Sequence, residues 1–513
     1  MAKTSSKATL SRLLSDYGML LALLLLCAYY SYATWDEQHP SGVSGANQLA
    51  DHIIKSFGRK ATVLIVARDN KEDTAFADTL VQRLGEAGLT VTASVKGQPL
   101  DARRALQQVA DSGGRLNVIA CSRATAQWGL FDSLETKFPS LAEARMVTPK
   151  SYWWPTFLKT DNLLNVVDQI VVIAIIAIGM TMVIITAGID LSVGSLIALS
   201  AVVSTLLIRN VACAENASSL GMILCCLAGI AVCGTMGLFS GTMVTVFKIP
   251  PFIMTLSMML VASGLAYTFS GGKSVSEVPM SFTWLGRGGI TGAFLSRLLT
   301  VLAIVGIAYF VIYVILLVLS LFAPGVAGRS KWIALGASLA LGIAGLFIRK
   351  SEIPVAVVLM AILYGVAHIL MTRTKLGRYI YAVGGNAEAA RLSGVPINRV
   401  VLFVYAFCGA LAGLGGVVMA SQLRSGAPTY GQMYELYVIA AVVVGGTSLA
   451  GGEGKILGTL IGAFIIAVIQ NGMNLTNVES YTQKVVLGLV ILGAVLLDML
   501  KKRRWRIFKR RRR

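Results

Sequence analysis

The chain has 513 residues, 55% of them hydrophobic and 14% charged, with a mean hydropathy of +0.72. That balance excludes a soluble globule and marks a polytopic membrane protein. The formal net charge of +20 does not argue for nucleic acid, because the tail 501–513 concentrates Lys501, Lys502, Arg503, Arg504, Arg506, Lys509 and four closing arginines, and no aromatic-interleaved basic surface accompanies it.

In chain order, the first apolar run, 17–33, follows Lys3, Lys7 and Arg12, which holds the N-terminus inside. Ser31, Tyr32 and Ala33 also satisfy the small-residue pattern of a signal-peptidase site. With or without cleavage, the segment from Thr34 to about Lys150 is expected outside. It reads as a small α/β domain (36–150) with a mainly parallel sheet: strands at 61–67, 89–95 and 116–121 alternate with helices at 72–87, 100–112 and 124–134.

After it the sequence is nearly continuous membrane. Apolar runs at 163–187, 191–208, 220–247, 252–270, 298–322, 332–348, 353–371, 400–420, 436–447, 456–472 and 485–500 bring the total to about twelve spans. The domain plan is then a first span (1–35), the exported domain, two core halves (151–292 and 353–500), an intervening pair of spans (293–352) and the basic tail. That tail directly follows an apolar span, the positive-inside pattern of a cytoplasmic terminus, with anionic headgroups within reach. The count places both termini and the loop 372–399 inside, leaving Arg349 and Lys350 outside against the charge rule.

Seven cysteines show no metal spacing. Cys27, Cys225, Cys226, Cys233 and Cys408 lie in apolar runs as small packing residues, while Cys121 and Cys213 would both be exported, where a bridge is conceivable. His39, His52 and His368 are scattered, so no metal site or catalytic set is expected.

Four polar interruptions carry the chemistry. Around Asp190 and Ser192, the segment 188–195 sets a carboxylate and two glycines between apolar runs. A carboxylate at membrane depth lines a cavity or reaches an interface, beside a broken helix; equally, Asp190 caps the following helix in an ordinary turn. The segment 248–252 is a basic Pro-Pro turn leading to Phe252 and Thr255. Gln470, Asn471 and Asn474 cluster near the end of a span, where amides satisfy one another or meet a hydroxylated solute.

The fourth interruption is the loop 372–399, with Lys375, Arg378, Arg391 and Arg399. Within it, Glu388, Ala389 and Ala390 followed by Gly394 read as a short helix ended by glycine, with small residues that admit a partner. A docking helix on such a loop implies a soluble motor elsewhere. The glycine-dense turn 445–454 is not a phosphate cradle: Leu449 occupies the leading glycine position and Ile456 follows Lys455, so the P-loop pattern fails, as it does at Gly272 and Lys273. Tight turning and close helix packing remain, with small-residue pairs at Gly237/Gly241, Gly409/Gly413 and Gly458/Gly462.

On the motifs 161–165, 188–195, 249–256, 270–272, 377–386, 388–394 and 445–454 with Gly458 and Gly462, taken in order, the chain resembles the ribose/xylose/galactose-type permease subunits of bacterial ABC sugar importers. The resemblance covers about 155–292 and 353–500. It implies an α-helical core of ten spans, here with two extra, in a homodimer with a central sugar path in the inner membrane. It also implies an external sugar-binding protein and a separate ATPase subunit that uses ATP and Mg2+, with no cofactor or metal on this chain. Carried onto this sequence, Gly377, Arg378, Asn386, Glu388, Ala389, Ala390 and Gly394 would couple to the ATPase. Asp190, Ser192, Phe252, Thr255 and Asn471 would serve the path or its gate. The chain departs from the family in the α/β domain and in the segment 293–352. Alternatives are a permease for branched-chain amino acids or nucleosides, an ion-coupled secondary transporter, and a non-transporting sensor.

Overall fold

The computed structural model describes residues 6–58, 61–131, 134–290 and 353–510. The chain divides into two compact units, one of Met1–Tyr30 with Lys159–Arg513, the other Ser31–Leu158.

The smaller unit opens after α1 (Ser6–Ala33). Its strand β1 (Trp35–Gln38) pairs antiparallel with β6 (Tyr152–Pro155), so the chain enters and leaves the unit side by side. Between them run α2 (Gly42–Phe57), β2 (Thr62–Ala67), α3 (Lys71–Glu86), β3 (Thr90–Lys96), α4 (Pro99–Asp111), β4 (Val118–Cys121), α5 (Arg123–Ala126), α6 (Leu134–Lys137) and β5 (Arg145–Val147). The four inner strands form a parallel sheet in the order β3-β2-β4-β5. From Val63 onward strand β2 is wholly apolar because both faces are covered, as parallel sheets require. Val63 and Ile65 pack with Leu49, Ile53, Phe76 and Leu80 of α2 and α3; Leu64 and Val66 pack with Leu106, Ile119 and Leu141 on the other face.

Two details differ from the sequence expectation. The helix expected over 124–134 is instead two single turns. Thr125 is buried and its hydroxyl donates to the Val66 carbonyl at 2.9 Å, fixing α5 to the sheet, and Gly129 follows before a new helix can grow. The strands β5 and the β1–β6 ribbon were not foreseen.

The larger unit contains α7 (Thr160–Ile185), α8 (Val193–Asn210), α9 (Ser219–Thr245), α10 (Pro251–Ser270), α11 (Trp284–Arg287), α12 (Val355–Arg373), α13 (Lys375–Gly385), α14 (Ala387–Leu392), α15 (Ile397–Leu423), α16 (Tyr434–Val444), α17 (Ile456–Leu475) and α18 (Ser480–Arg510). Among the described residues seven helices are long and apolar enough to cross a membrane: α7, α8, α9, α10, α12, α15 and α17. Gly18–Ala33, Tyr434–Val444 and Ser480–Leu496 are shorter apolar helices. The spans expected at 298–322 and 332–348, and the pair Arg349 and Lys350, lie outside the described residues. The backbone on either side of that segment meets in a two-residue antiparallel ladder, β7 (Gly289–Ile290) with β8 (Ile353–Pro354).

Helix α7 is the axis of this unit. It is apolar all round and continuously buried from Ile170 to Ile185, as a helix enclosed by others must be. The glycine pairs find their partners here. A Cβ on Gly237 of α9 would overlap the Tyr405 carbonyl of α15, and one on Gly409 would overlap the Cys233 carbonyl, so these two helices cross backbone to backbone. Gly458 and Gly462 of α17 make the same approach to Gly445 and Ala441 at the end of α16. Helix α1 belongs to the bundle: the Tyr30 ring lies against Gly472, and its hydroxyl donates to the Ile469 carbonyl at 3.4 Å. All seven cysteines are free thiols; Cys121 is buried in the sheet and Cys213 is exposed.

Candidate functional site

The loop between α12 and α15 folds into two helices set by their caps. Thr374 accepts the Gly377 amide at 3.2 Å through its hydroxyl and starts α13; Asn386 accepts the Ala389 amide at 3.0 Å through its side-chain oxygen and starts α14. Gly377 has no room for a side chain, since a Cβ would overlap the Met371 carbonyl. Arg378 is exposed. Helix α14 ends at Gly394, whose φ of +80° is the left-handed conformation that closes a helix with little strain only in glycine. The amide of Val395 returns to the Ala390 carbonyl at 3.0 Å.

The faces of α14 are distinct. Glu388, Ala389 and Arg391 are exposed, with Arg391 paired to Glu388 at 2.6 Å, and Leu392 is 80% exposed. Ala390, expected on the docking surface, is only 5% exposed and packs inward. Leu392 is the residue the sequence reading passed over. Its signal was an apolar side chain in a six-residue helix otherwise polar outside, too short to bury both faces.

The glycine turn 445–454 holds this loop to the bundle. The Tyr381 hydroxyl of α13 donates to the Gly454 carbonyl at 2.8 Å, and the Gly452 amide donates to the Ile185 carbonyl, at the end of α7, also at 2.8 Å. Gly384 lies between them: a Cβ there would overlap the Ile185 carbonyl and stand 2.7 Å from the Gly452 nitrogen.

Five residues past Ile185 the chain reaches Asp190, fully buried. One carboxylate oxygen accepts the Ser192 amide at 2.9 Å and its hydroxyl at 2.6 Å, shaping the turn that launches α8. The other carboxylate oxygen and the nearby Tyr405 hydroxyl have no hydrogen-bond partner among the described residues. Thr255, buried on α10, donates to the Ile189 carbonyl at 3.2 Å and so fastens α10 to this turn. Asp190, Ser192 and Thr255 are therefore one cluster. Phe252 is not part of it in the same sense, its side chain being 53% exposed.

Asn471 stands apart. Its amide and that of Asn162 exchange hydrogen bonds at 2.9 and 3.0 Å, joining α17 to the first turn of α7. Asn474 instead accepts from Gln483 at 2.8 Å. Asp190 follows the opposite end of α7, a helix of 26 residues and so about 39 Å long. The path candidates thus mark both ends of the axial helix, with the loop 372–399 at the Asp190 end.

A bundle of apolar helices around an axial helix, with a polar helix pair exposed at one end, defines a multi-pass membrane protein, and the family match makes it a transport protein, not an enzyme. The family described as branched-chain amino acid transport system / permease component matches residues 162–495, and the chain belongs to it. It is similar to the ribose import permease protein RbsC of Escherichia coli K12, 37% identical over 352 residues, 68% of this chain and 88% of that protein. The ribose import permease protein RbsC of Bacillus subtilis is 35% identical over 375 residues, 72% and 95% of the two chains. The xylose transport system permease protein XylH of Escherichia coli K12 is 35% identical over 360 residues, 69% and 89%. No solved structure matches the chain significantly.

Proposed function

We propose that this chain is the permease subunit of an ABC importer that carries a monosaccharide of the ribose or xylose kind across the bacterial inner membrane. A separate ATPase subunit supplies the energy. The relatives named for ribose and xylose support the solute class. The observation that carries the mechanism is α14, a capped helix that presents Glu388, Ala389, Arg391 and Leu392 outward. A helix whose apolar tip is uncovered is built to enter a groove on a partner. Gly377, Arg378 and Asn386 set its position, and Gly394 ends it. Asp190, Ser192 and Thr255 form the inner gate cluster, with Phe252 on the outer surface of α10. Asn471 acts at the other end by fixing α17 to α7.

In this reading the fold has ten core spans, with the pair at 298–322 and 332–348 making twelve, and both termini are cytoplasmic. The chain works as a homodimer with an exported sugar-binding protein. The α/β unit is an insertion on the outer side, and the segment 293–352 inserts the extra pair of spans. The β1–β6 ribbon and the β7–β8 ladder support this, because each returns the chain to the point it left, so each insertion interrupts the core at a single place. Uptake of labelled ribose, xylose and galactose into proteoliposomes holding this chain and its ATPase tests the assignment. Uptake that ignores ATP and collapses with a protonophore would establish an ion-coupled carrier instead.

A further inference from the structure

The α/β unit holds a cleft of about 230 Å3 that the permease reading does not use. It opens where strand order reverses. From β2 the chain passes through α3 to β3 on one side, while β4 lies on the other. At such a point the connections leave in opposite directions and a crevice opens beyond the carboxyl ends of the strands. Arg68 follows the last residue of β2, Ser122 and Arg123 follow the last residue of β4, and the first turn of α3 adds Glu72 and Asp73.

The lining is organised. Asp73, 3% exposed, accepts from the Arg68 guanidinium at 2.7 Å and from the Ser122 hydroxyl at 3.3 Å, and Ser122 is itself 8% exposed. Glu72 accepts from the Ser41 hydroxyl at 2.5 Å, which draws the loop before α2 to the rim. Arg123 reaches across to His39. Two guanidiniums thus face two carboxylates around buried and exposed hydroxyls. An anion here would meet Glu72 and Asp73, and a metal ion would meet Arg68 and Arg123. A neutral solute whose every hydroxyl both donates and accepts can use all of them. The volume is below the roughly 300–1,000 Å3 of pockets for drug-sized ligands, which suits a molecule the size of a monosaccharide.

We propose that this cleft binds a monosaccharide or a similar small neutral polyol, giving the chain a solute site of its own outside the membrane bundle. The choice of sugars as probes rests on the transport reading above; the cleft chemistry does not. The test uses the full-length protein in lipid nanodiscs without ATPase, titrated calorimetrically with D-ribose, D-xylose, D-galactose and, separately, inorganic phosphate. One sugar should bind, and Glu72→Gln and Arg123→Gln should each weaken it about tenfold or more, as expected when a hydrogen bond to a charged group is lost. Both side chains are exposed, so unfolding temperatures should match the parent and separate lost binding from lost fold. No binding of any sugar, binding that neither substitution weakens, or phosphate bound in preference would each overturn the proposal. Cleft binding in a protein that takes up no sugar would uphold it and remove the transport reading; uptake with an empty cleft would do the reverse.

Discussion

Leu392→Ser separates a docking helix from a merely structural one. Leu392 is 80% exposed, so its truncation should change stability by less than about 0.5 kcal/mol. If that surface is covered by an ATPase groove, the outcome is different. Full burial of a leucine contributes about 1.5–3 kcal/mol, and four-fifths of it is about 1.2–2.4 kcal/mol, or about 7- to 50-fold in Kd. The assay is titration of the ATPase subunit against the permease in nanodiscs, alongside ATP-driven uptake in proteoliposomes. Affinity should fall within that range and uptake should fall with it, while insertion and thermal stability stay at the parent values. Unchanged affinity for both Leu392→Ser and Leu392→Asp would show that α14 does not seat in the ATPase.

Further expectations follow from neighbouring residues. Gly394→Arg should cost about 1–2 kcal/mol through its left-handed backbone alone and reduce uptake with insertion intact, since a side chain there would meet open space; Ala390→Leu should instead lower stability by about 1–3 kcal/mol, because Ala390 packs inward, and equal unfolding temperatures for Ala390→Leu and the parent would refute that placement. Asn471→Ala and Asn162→Ala should each lower stability by about 1–3 kcal/mol, leaving a half-buried amide without its partner, and the double variant should cost much less than their sum. Strict additivity would mean that Asn471 acts elsewhere. A membrane-impermeant maleimide should label Cys213 in spheroplasts and spare Cys121, whose thiol burial pushes up to about 12, so that almost no thiolate exists at pH 8. Labelling of Cys213 only after lysis would reverse the proposed topology.

Seven of the expected spans were legible among the described residues because run length alone specifies a membrane helix, and the strands of the α/β unit because Val63 to Ala67 is apolar without interruption. The caps at Thr374 and Asn386 and the stop at Gly394 are local chemistry, so the short helix of the loop 372–399 could be read from sequence in outline. Long-range partners could not. The glycines at 237 and 409 announce that a backbone comes close without saying which one, and Asn471 finds Asn162 across 309 residues. A cluster of three amides on one helix suggested mutual satisfaction, yet the pairing runs between helices. Strand β5 was missed because three residues cannot display a period of two. Leu392 was missed because hydrophobicity in a short polar helix looks like noise until its exposure is known.

If α14 docks the ATPase as proposed, the drive needs a route inward, and the fold supplies a short one. Helix α13 is tied to the glycine turn by Tyr381 and Gly454, the turn is tied to the end of α7 through Gly452 and Ile185, and the Asp190 turn begins just beyond. Proximity alone does not establish coupling, so the link must be cut without touching the docking face. Tyr381→Phe removes one hydroxyl and its bond to the Gly454 carbonyl, at about 0.5–1.5 kcal/mol. Gly384→Ala forces a methyl against Ile185 and Gly452 and so wedges the same joint open. Both variants should bind the ATPase with parental affinity and hydrolyse ATP, yet move less sugar per ATP, with the larger deficit in Gly384→Ala. If both keep the parental ratio of sugar moved to ATP consumed, the turn is a packing element and the drive reaches Asp190 by another path.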